Sequence, residues 1–237
     1  MVPLCEGASR CYKSMMAERS APSPAAGGDP GRYTERIQTD VISYLENQVR
    51  GLDVLDVGCV DHNADAPLAG DRWLHARLHR TAKSVFGTDI LEQGCAALRA
   101  KGYNVVAADA CTMRLGQAFD VVIAGEIIEH VENPGQLVRN LAEHLRPGGK
   151  LIVTTPHIHF ALHFIESIFC DPRKRWNPEH CVAFEPFTLR NLVERCGLRV
   201  ATCAYATRSR KLLPLIRMGM PCWGWLSSTL VIVATKV

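Results

Sequence analysis

The chain has 237 residues with 27 basic and 24 acidic side chains, a formal net charge of +3, and is 47% hydrophobic and 22% charged. That composition excludes a disordered, collagen-like or coiled-coil protein, and the small net charge argues against a dedicated nucleic-acid binder, so nucleic acid is not an expected partner. No apolar run approaches the roughly 18 residues of a membrane-spanning helix, and the opening MVPLCEGASR has no apolar core of a secretory signal. The expectation is therefore a cytoplasmic protein built as one large domain. Its ten cysteines form no CxxC pair and read as reduced thiols.

Residues 1–31 end in SAPSPAAGGDPG, where Pro and Gly remove donors and raise backbone entropy, and read as a flexible leader to a domain spanning 32–237. From 32 to 50 the apolar residues Ile37, Val41, Ile42, Leu45 and Val49 recur at helical spacing and predict a first helix, stopped by Gly51. The short apolar run 52–57 predicts a strand buried on both faces. Helices are expected at 72–84, 91–101, 134–146, 158–169 and 186–196, and further strands at 85–88, 103–107, 119–124, 150–154, 198–205 and 230–236. Seven strands in such alternation predict an α/β fold: a Rossmann-like, doubly wound, mostly parallel sheet with helices on both faces. The last two strands have no clear helix between them and can pair antiparallel.

In an open α/β sheet, ligands bind beyond the carboxyl ends of the strands, at the switch in strand order. The first strand ends Asp56-Val57-Gly58-Cys59, where the Gly admits a ligand close to the backbone and the Asp can accept from amines or hydroxyls. The second ends Asp89-Ile90, with a carboxylate suited to two ribose hydroxyls, and the third ends Asp109-Ala110, with one suited to an exocyclic amine. Each Asp alone also fits a turn former or helix cap. Three of them in register on successive strands favour a nucleoside-like ligand.

These residues resemble the class I S-adenosylmethionine-dependent methyltransferases, from about residue 32 to the end. The resemblance rests on VLDVGC (54–59), GTDI (87–90), AADA (107–110), FDVVIAGEIIEHVENPG (119–135) and LRPGGKLIVTTP (145–156). It implies S-adenosyl-L-methionine as cofactor, with Asp56, Gly58 and Cys59 beside the methionine moiety, Asp89 and Ile90 at the ribose, Asp109 and Ala110 near the adenine, and Glu126 completing the site. The chain departs from the family where Val60 and His62 replace further loop glycines. Asp89 also stands farther from Gly58 than the roughly 20 residues typical of the related dinucleotide fold. An insertion around 61–72 accounts for the excess.

Glu126, Glu129 and His130 have i, i+3 and i+4 spacing and share one face if they form a helical turn. They fit capping and solvent-facing groups. They are also similar to the Glu-x-x-Glu-His pattern of metal-assisted O-methyltransferases, of the ubiquinone-pathway and small-RNA 2′-O types, with His180 in the matching downstream position. That resemblance implies a divalent-metal site of Glu126, Glu129, His130 and His180. Mixed oxygen and nitrogen donors suit Mg²⁺, Mn²⁺, Zn²⁺ or Fe²⁺, with Mg²⁺ first. The catalytic residues are then Glu129 and His130, and without a metal His130 is the candidate general base.

Other features are read more plainly. His75 and His79 are one helical turn apart with no carboxylate near them in sequence, and are expected to be structural or solvent-facing. Cys59, Cys111, Cys181, Cys196 and Cys203 are expected as buried filler. Acceptor-side segments are expected near 157–185, which includes the His157 to His163 stretch and the basic triplet 173–175, and near 206–227. Within the latter, 208–225 mixes bases, Met, Pro and Trp, and reads as an acceptor flap or a homodimer contact. The expected activity is methyl transfer to a hydroxyl of a small molecule such as a sugar, phenol or secondary metabolite. The alternatives are an RNA 2′-O-methyltransferase or a non-catalytic cofactor-binding subunit.

Overall fold

The structure, a computed structural model, describes residues 35–60, 73–161, 165, 168, 169, 177–207, 224 and 227–237. The expected leader, the 61–72 insertion, the triplet 173–175, five residues of the expected 158–169 helix and nearly all of the 208–225 segment lie outside these residues. The described chain forms one eight-stranded sheet. Its strands are β1 (Glu35–Asp40), β2 (Asp53–Val57), β3 (Ser84–Asp89), β4 (Val105–Ala107), β5 (Phe119–Gly125), β6 (Leu145–Pro156), β7 (Leu198–Thr207) and β8 (Thr229–Lys236). They lie in the order β1-β7-β8-β6-β5-β2-β3-β4. Every pairing is parallel except those of β8, which runs antiparallel to both β6 and β7. The expected antiparallel pairing of the last two strands is thus present.

Helices α1 (Val41–Gln48), α2 (Leu74–Leu78), α3 (Glu92–Ala100), α4 (Pro134–Glu143) and α5 (Pro186–Arg195) cover the sheet. Alternate residues of each central strand serve opposite layers, as the two-residue side-chain period requires. Leu55 and Val122 pack with Leu137, Leu141 and Leu189 of α4 and α5, whereas Val54 and Ile123 pack with Leu45 of α1. Both strands are therefore apolar on both faces, and each fully buried Leu or Ile contributes about 1.5–3 kcal/mol by leaving water. No helix among the described residues is long and apolar enough to cross a membrane.

Four expectations are corrected. The sheet has eight strands, not seven, because 35–40 is a strand rather than the start of a helix. Ile37 and Val41 satisfy helical spacing, but main-chain pairing with β7, Glu35 to Ala204 and Arg36 to Tyr205, draws the segment into the sheet edge. Asp40 then ends the strand and caps α1, its Oδ1 accepting from the Ser43 backbone at 3.1 Å. Helix α2 has five residues instead of the thirteen from 72 to 84, and α4 stops at Glu143 because β6 begins at Leu145 rather than residue 150.

Candidate active site

Strand order reverses at β2, which lies between β3 and β5, and the carboxyl ends of β2 and β5 border an open cleft of about 760 Å³. Gly58, just past β2, adopts φ 77°, a left-handed conformation that costs other L-residues about 1–2 kcal/mol. A Cβ there would also sit 2.2 Å from Ile127 Cδ1, so the position takes only Gly. The Gly58 and Cys59 amides donate to Thr88 O at 2.8 and 3.2 Å and fasten the loop to the end of β3. Asp89 holds it from the other side: Oδ2 accepts from Val60 N and Oδ1 from Leu91 N, both at 3.0 Å.

Of the residues expected around a cofactor, Asp56, Gly58, Cys59 and Glu126 line this cleft, while Asp89, Ile90, Asp109 and Ala110 do not. Ile90 is exposed beside it. Asp109 shapes its own turn, Oδ1 accepting from Cys111 N at 2.8 Å and Oδ2 from Thr112 Oγ1 at 3.2 Å. The following loop is held by α4: Asn140 Nδ2 donates to Ala110 O at 2.8 Å, and Leu115 N donates to His144 Nε2 at 3.3 Å.

What lies beneath Asp56 is not legible in consecutive residues. This carboxylate is 2% exposed, and its Oδ2 accepts from Nδ1 of His75, which is fully buried, at 2.8 Å. His79 Nε2 lies 3.3 Å from His75 Nε2. The missing carboxylate of the His75 and His79 pair is therefore supplied by β2 rather than by neighbours in sequence. Burial and the adjoining His75 push the His79 imidazole below its usual range. Trp73 Nε1 donates to Cys59 O at 2.9 Å, a second tie from the same segment.

The acidic and histidine cluster sits at the end of β5. Glu126 is the one non-glycine residue with positive φ, 56°, among the described residues, and a single 3₁₀ turn, Ile128–His130, follows. The expected helical turn over 126–130 is therefore shorter, because the left-handed residue redirects the chain before the turn begins. Glu126 Oε1 accepts from Thr154 Oγ1 at 3.0 Å, and Glu129, 2% exposed, accepts on Oε2 from Thr155 Oγ1 at 3.0 Å. Cys181 N and Val182 N donate to Glu129 O at 2.8 and 3.2 Å. This pairing brings the downstream histidine to the site: the His130 and His180 rings meet edge to face at 4.7 Å.

One ligand atom from each of Glu129, His130 and His180 lies within 4.8 Å of the others. The structure thus groups three of the four expected ligands, and Glu126 stands outside the group with its carboxylate on Thr154. A carboxylate with two imidazoles is a donor set that fits a divalent cation. Burial and the neighbouring His130 push His180 below its ordinary range, toward the neutral form a ligand must have. Two further expectations change. Cys181 is exposed, and Cys111 and Cys196 are half-buried, so only Cys59 and Cys203 of the five are core filler. His157 is buried, with Nδ1 3.1 Å from Ser227 O, and takes a structural place.

A methyltransferase domain family matches residues 31–202. The ubiquinone biosynthesis O-methyltransferase of Caulobacter sp. strain K31 is 30% identical over 130 residues, covering 54% of this chain and 50% of that protein. This chain spans about half the length of the curated relatives it matches. Among solved structures, a SAM-dependent methyltransferase from Archaeoglobus fulgidus aligns over 83% of this chain and 93% of its own, with TM-score 0.57 and 19% identity. Magnesium protoporphyrin IX methyltransferase from Synechocystis PCC 6803, solved with bound SAH, aligns over 83% and 80% at TM-score 0.54 and 16% identity. With its sheet order and loop geometry, the chain belongs to the methyltransferase domain family, of the class I S-adenosylmethionine-dependent type.

Proposed function

We propose that this chain is an S-adenosylmethionine-dependent O-methyltransferase acting on a hydroxyl of a small molecule, with a divalent cation held by Glu129, His130 and His180. The observation that carries the reading is the convergence of those three side chains on the same cleft that Asp56 and Gly58 line. The O-methyltransferase relatives support transfer to oxygen. When bound, S-adenosylmethionine supplies an electrophilic methyl, and a cation at the cluster would lower the pKa of an acceptor hydroxyl.

The roles of the chain's own residues follow. Gly58 lets the cofactor approach the loop, and Asp56 receives an ammonium. Asp89, whose oxygens each keep a second lone pair beyond the loop amides, receives ribose hydroxyls. Glu129, fixed by Thr155, presents a buried negative charge, and the two imidazoles complete the donor set. Thr154 keeps the Glu126 carboxylate beside this cluster, on the cleft wall.

Calorimetric titration of S-adenosylhomocysteine, with Asp89→Ala as control, tests the cofactor half: micromolar binding is expected, weakened in the variant. Methyl transfer to a panel of alcohol and phenol acceptors, with and without EDTA, tests the rest. Glu129→Ala and His130→Ala are each expected to lower turnover about 100-fold or more, and EDTA to mimic them. Activity indifferent to both substitutions and to EDTA would sink the metal reading.

A further inference from the structure

The cofactor loop of this chain is poor in glycine, and the space it occupies has been made elsewhere. Val60 stands against Gly94 of α3, where an added Cβ would come within 2.5 Å of Val60 Cγ1. Cys59 and His75 stand against Gly87 of β3, where a Cβ would meet Cys59 Sγ and His75 Cε1 at 2.8 Å each. The loop is thus packed from beneath, and the segment Trp73 to His75 supplies both polar ties. Trp73, 6% exposed, donates Nε1–H to the Cys59 carbonyl at 2.9 Å, and His75, fully buried, meets the Asp56 carboxylate at 2.8 Å.

The direction of the second bond follows from chemistry. An ionised carboxylate only accepts, so Nδ1 of His75 carries the proton. In the neutral ring the lone pair then lies on Nε2, where the Nε2–H of His79 meets it at 3.3 Å. Asp56 therefore has one oxygen committed to a ring whose orientation is set by His79, by an edge contact with Tyr103 at 5.4 Å and by a tilted contact with Trp73 at 5.4 Å. Asp56 lines the cleft, so Oδ1 is the oxygen left to meet a ligand.

We propose that Trp73 and His75 are positioning residues for the cofactor: Trp73 fixes the loop carbonyl at Cys59, and His75 fixes the Asp56 carboxylate so that it meets the ammonium of the cofactor's amino-acid end. The proposal rests on the reading of Asp56 as a cofactor residue. It explains how a loop with Val60 in place of a glycine holds its path. Two ties from one short helical segment replace the backbone freedom that glycine would give.

The test separates the two ends of the cofactor. The full chain is titrated with S-adenosylhomocysteine, which has the amino-acid end, and with 5′-methylthioadenosine, which lacks it. His75→Leu keeps a side chain of similar size and removes the donor. It is expected to weaken S-adenosylhomocysteine roughly tenfold or more while leaving methylthioadenosine within about threefold. His75→Asn places an amide nitrogen where Nδ1 was, and is expected to restore the wild-type preference. A His75→Leu variant that weakens both ligands equally, or neither, overturns the proposal. Should that variant not fold, Trp73→Phe keeps a six-membered aromatic ring and removes the N–H together with its pyrrole ring; S-adenosylhomocysteine binding is expected to fall about threefold or more while methylthioadenosine changes less, and unchanged binding, or an equal loss for both ligands, overturns the proposal. Failure of the underlying reading has a different signature: wild-type protein that does not bind S-adenosylhomocysteine, or Asp56→Asn that binds it as wild type does, overturns the Asp56 assignment and this proposal with it.

Discussion

Gly58 and Gly51 have nearly the same backbone, φ 77° and 72°, and differ in surroundings. Nothing lies within 4 Å of a Cβ built on Gly51, whereas one built on Gly58 collides with Ile127. Gly51→Ala is therefore expected to cost about 1–2 kcal/mol of backbone strain. Gly58→Ala should cost more and also weaken S-adenosylhomocysteine binding, as urea unfolding and calorimetry on both variants would check. The need for glycine after β2 was legible in the sequence; the reason in Ile127, two residues past β5, was not. Glu126 gives a similar lesson. Its spacing to Glu129 predicted a shared face, but spacing assigns a face only if the backbone is helical, and φ 56° breaks that condition.

Elements beside the cleft act mainly by holding loops. Helix α4 ties down the segment after β4 through Asn140, which is 4% exposed and donates to Ala110 O. Asn140→Ala removes that bond and leaves a half-buried carbonyl without its amide donor, at an expected cost of about 1 kcal/mol. Faster hydrogen exchange confined to residues 110–115, with the rest of the sheet protected, would mark the loop as the place affected. Most elements were readable because their apolar periods are strong: β2, β5 and α4 alternate or repeat as their neighbours in the core demand. The failures were short or edge elements. β1 owes its form to pairing with β7, and α2 is a single stretch of five residues between segments that local spacing made look continuous.

Across the whole molecule, the end of the sheet opposite the cleft is closed by charge. Arg146 Nη1 donates to Asp120 Oδ1 at 2.7 Å and to Asp53 Oδ2 at 3.0 Å, and Ser84 Oγ donates to Asp53 Oδ1 at 2.7 Å, linking β2, β3, β5 and β6. Those bonds, led by Ser84 and then Arg146, hold the Asp53 carboxyl down from 3.8 to about 2. The folded chain thus keeps this carboxylate charged where the unfolded chain has begun to bind protons. Its contribution is full above about pH 4 and is lost as pH falls toward 2. Denaturant melts across that window should show wild type losing stability more steeply than Asp53→Asn; parallel slopes would exclude the network as a source of acid sensitivity.

The order of residues alone specified the layered α/β fold and the places along the chain where chemistry gathers. Both depend on local apolar period and on residue type at strand ends, and those are written in consecutive residues. It also named Glu129, His130 and His180 through a resemblance, without the means to bring His180 across. Folding supplied that step, by pairing Cys181 and Val182 with the Glu129 carbonyl. The same holds for the ring under Asp56. His75 follows it by nineteen residues, many outside the described structure, and α2 packed against β2 places the imidazole within hydrogen-bond reach. Contacts between residues distant in sequence depend on how layers stack, and a linear pattern carries the layers without their alignment.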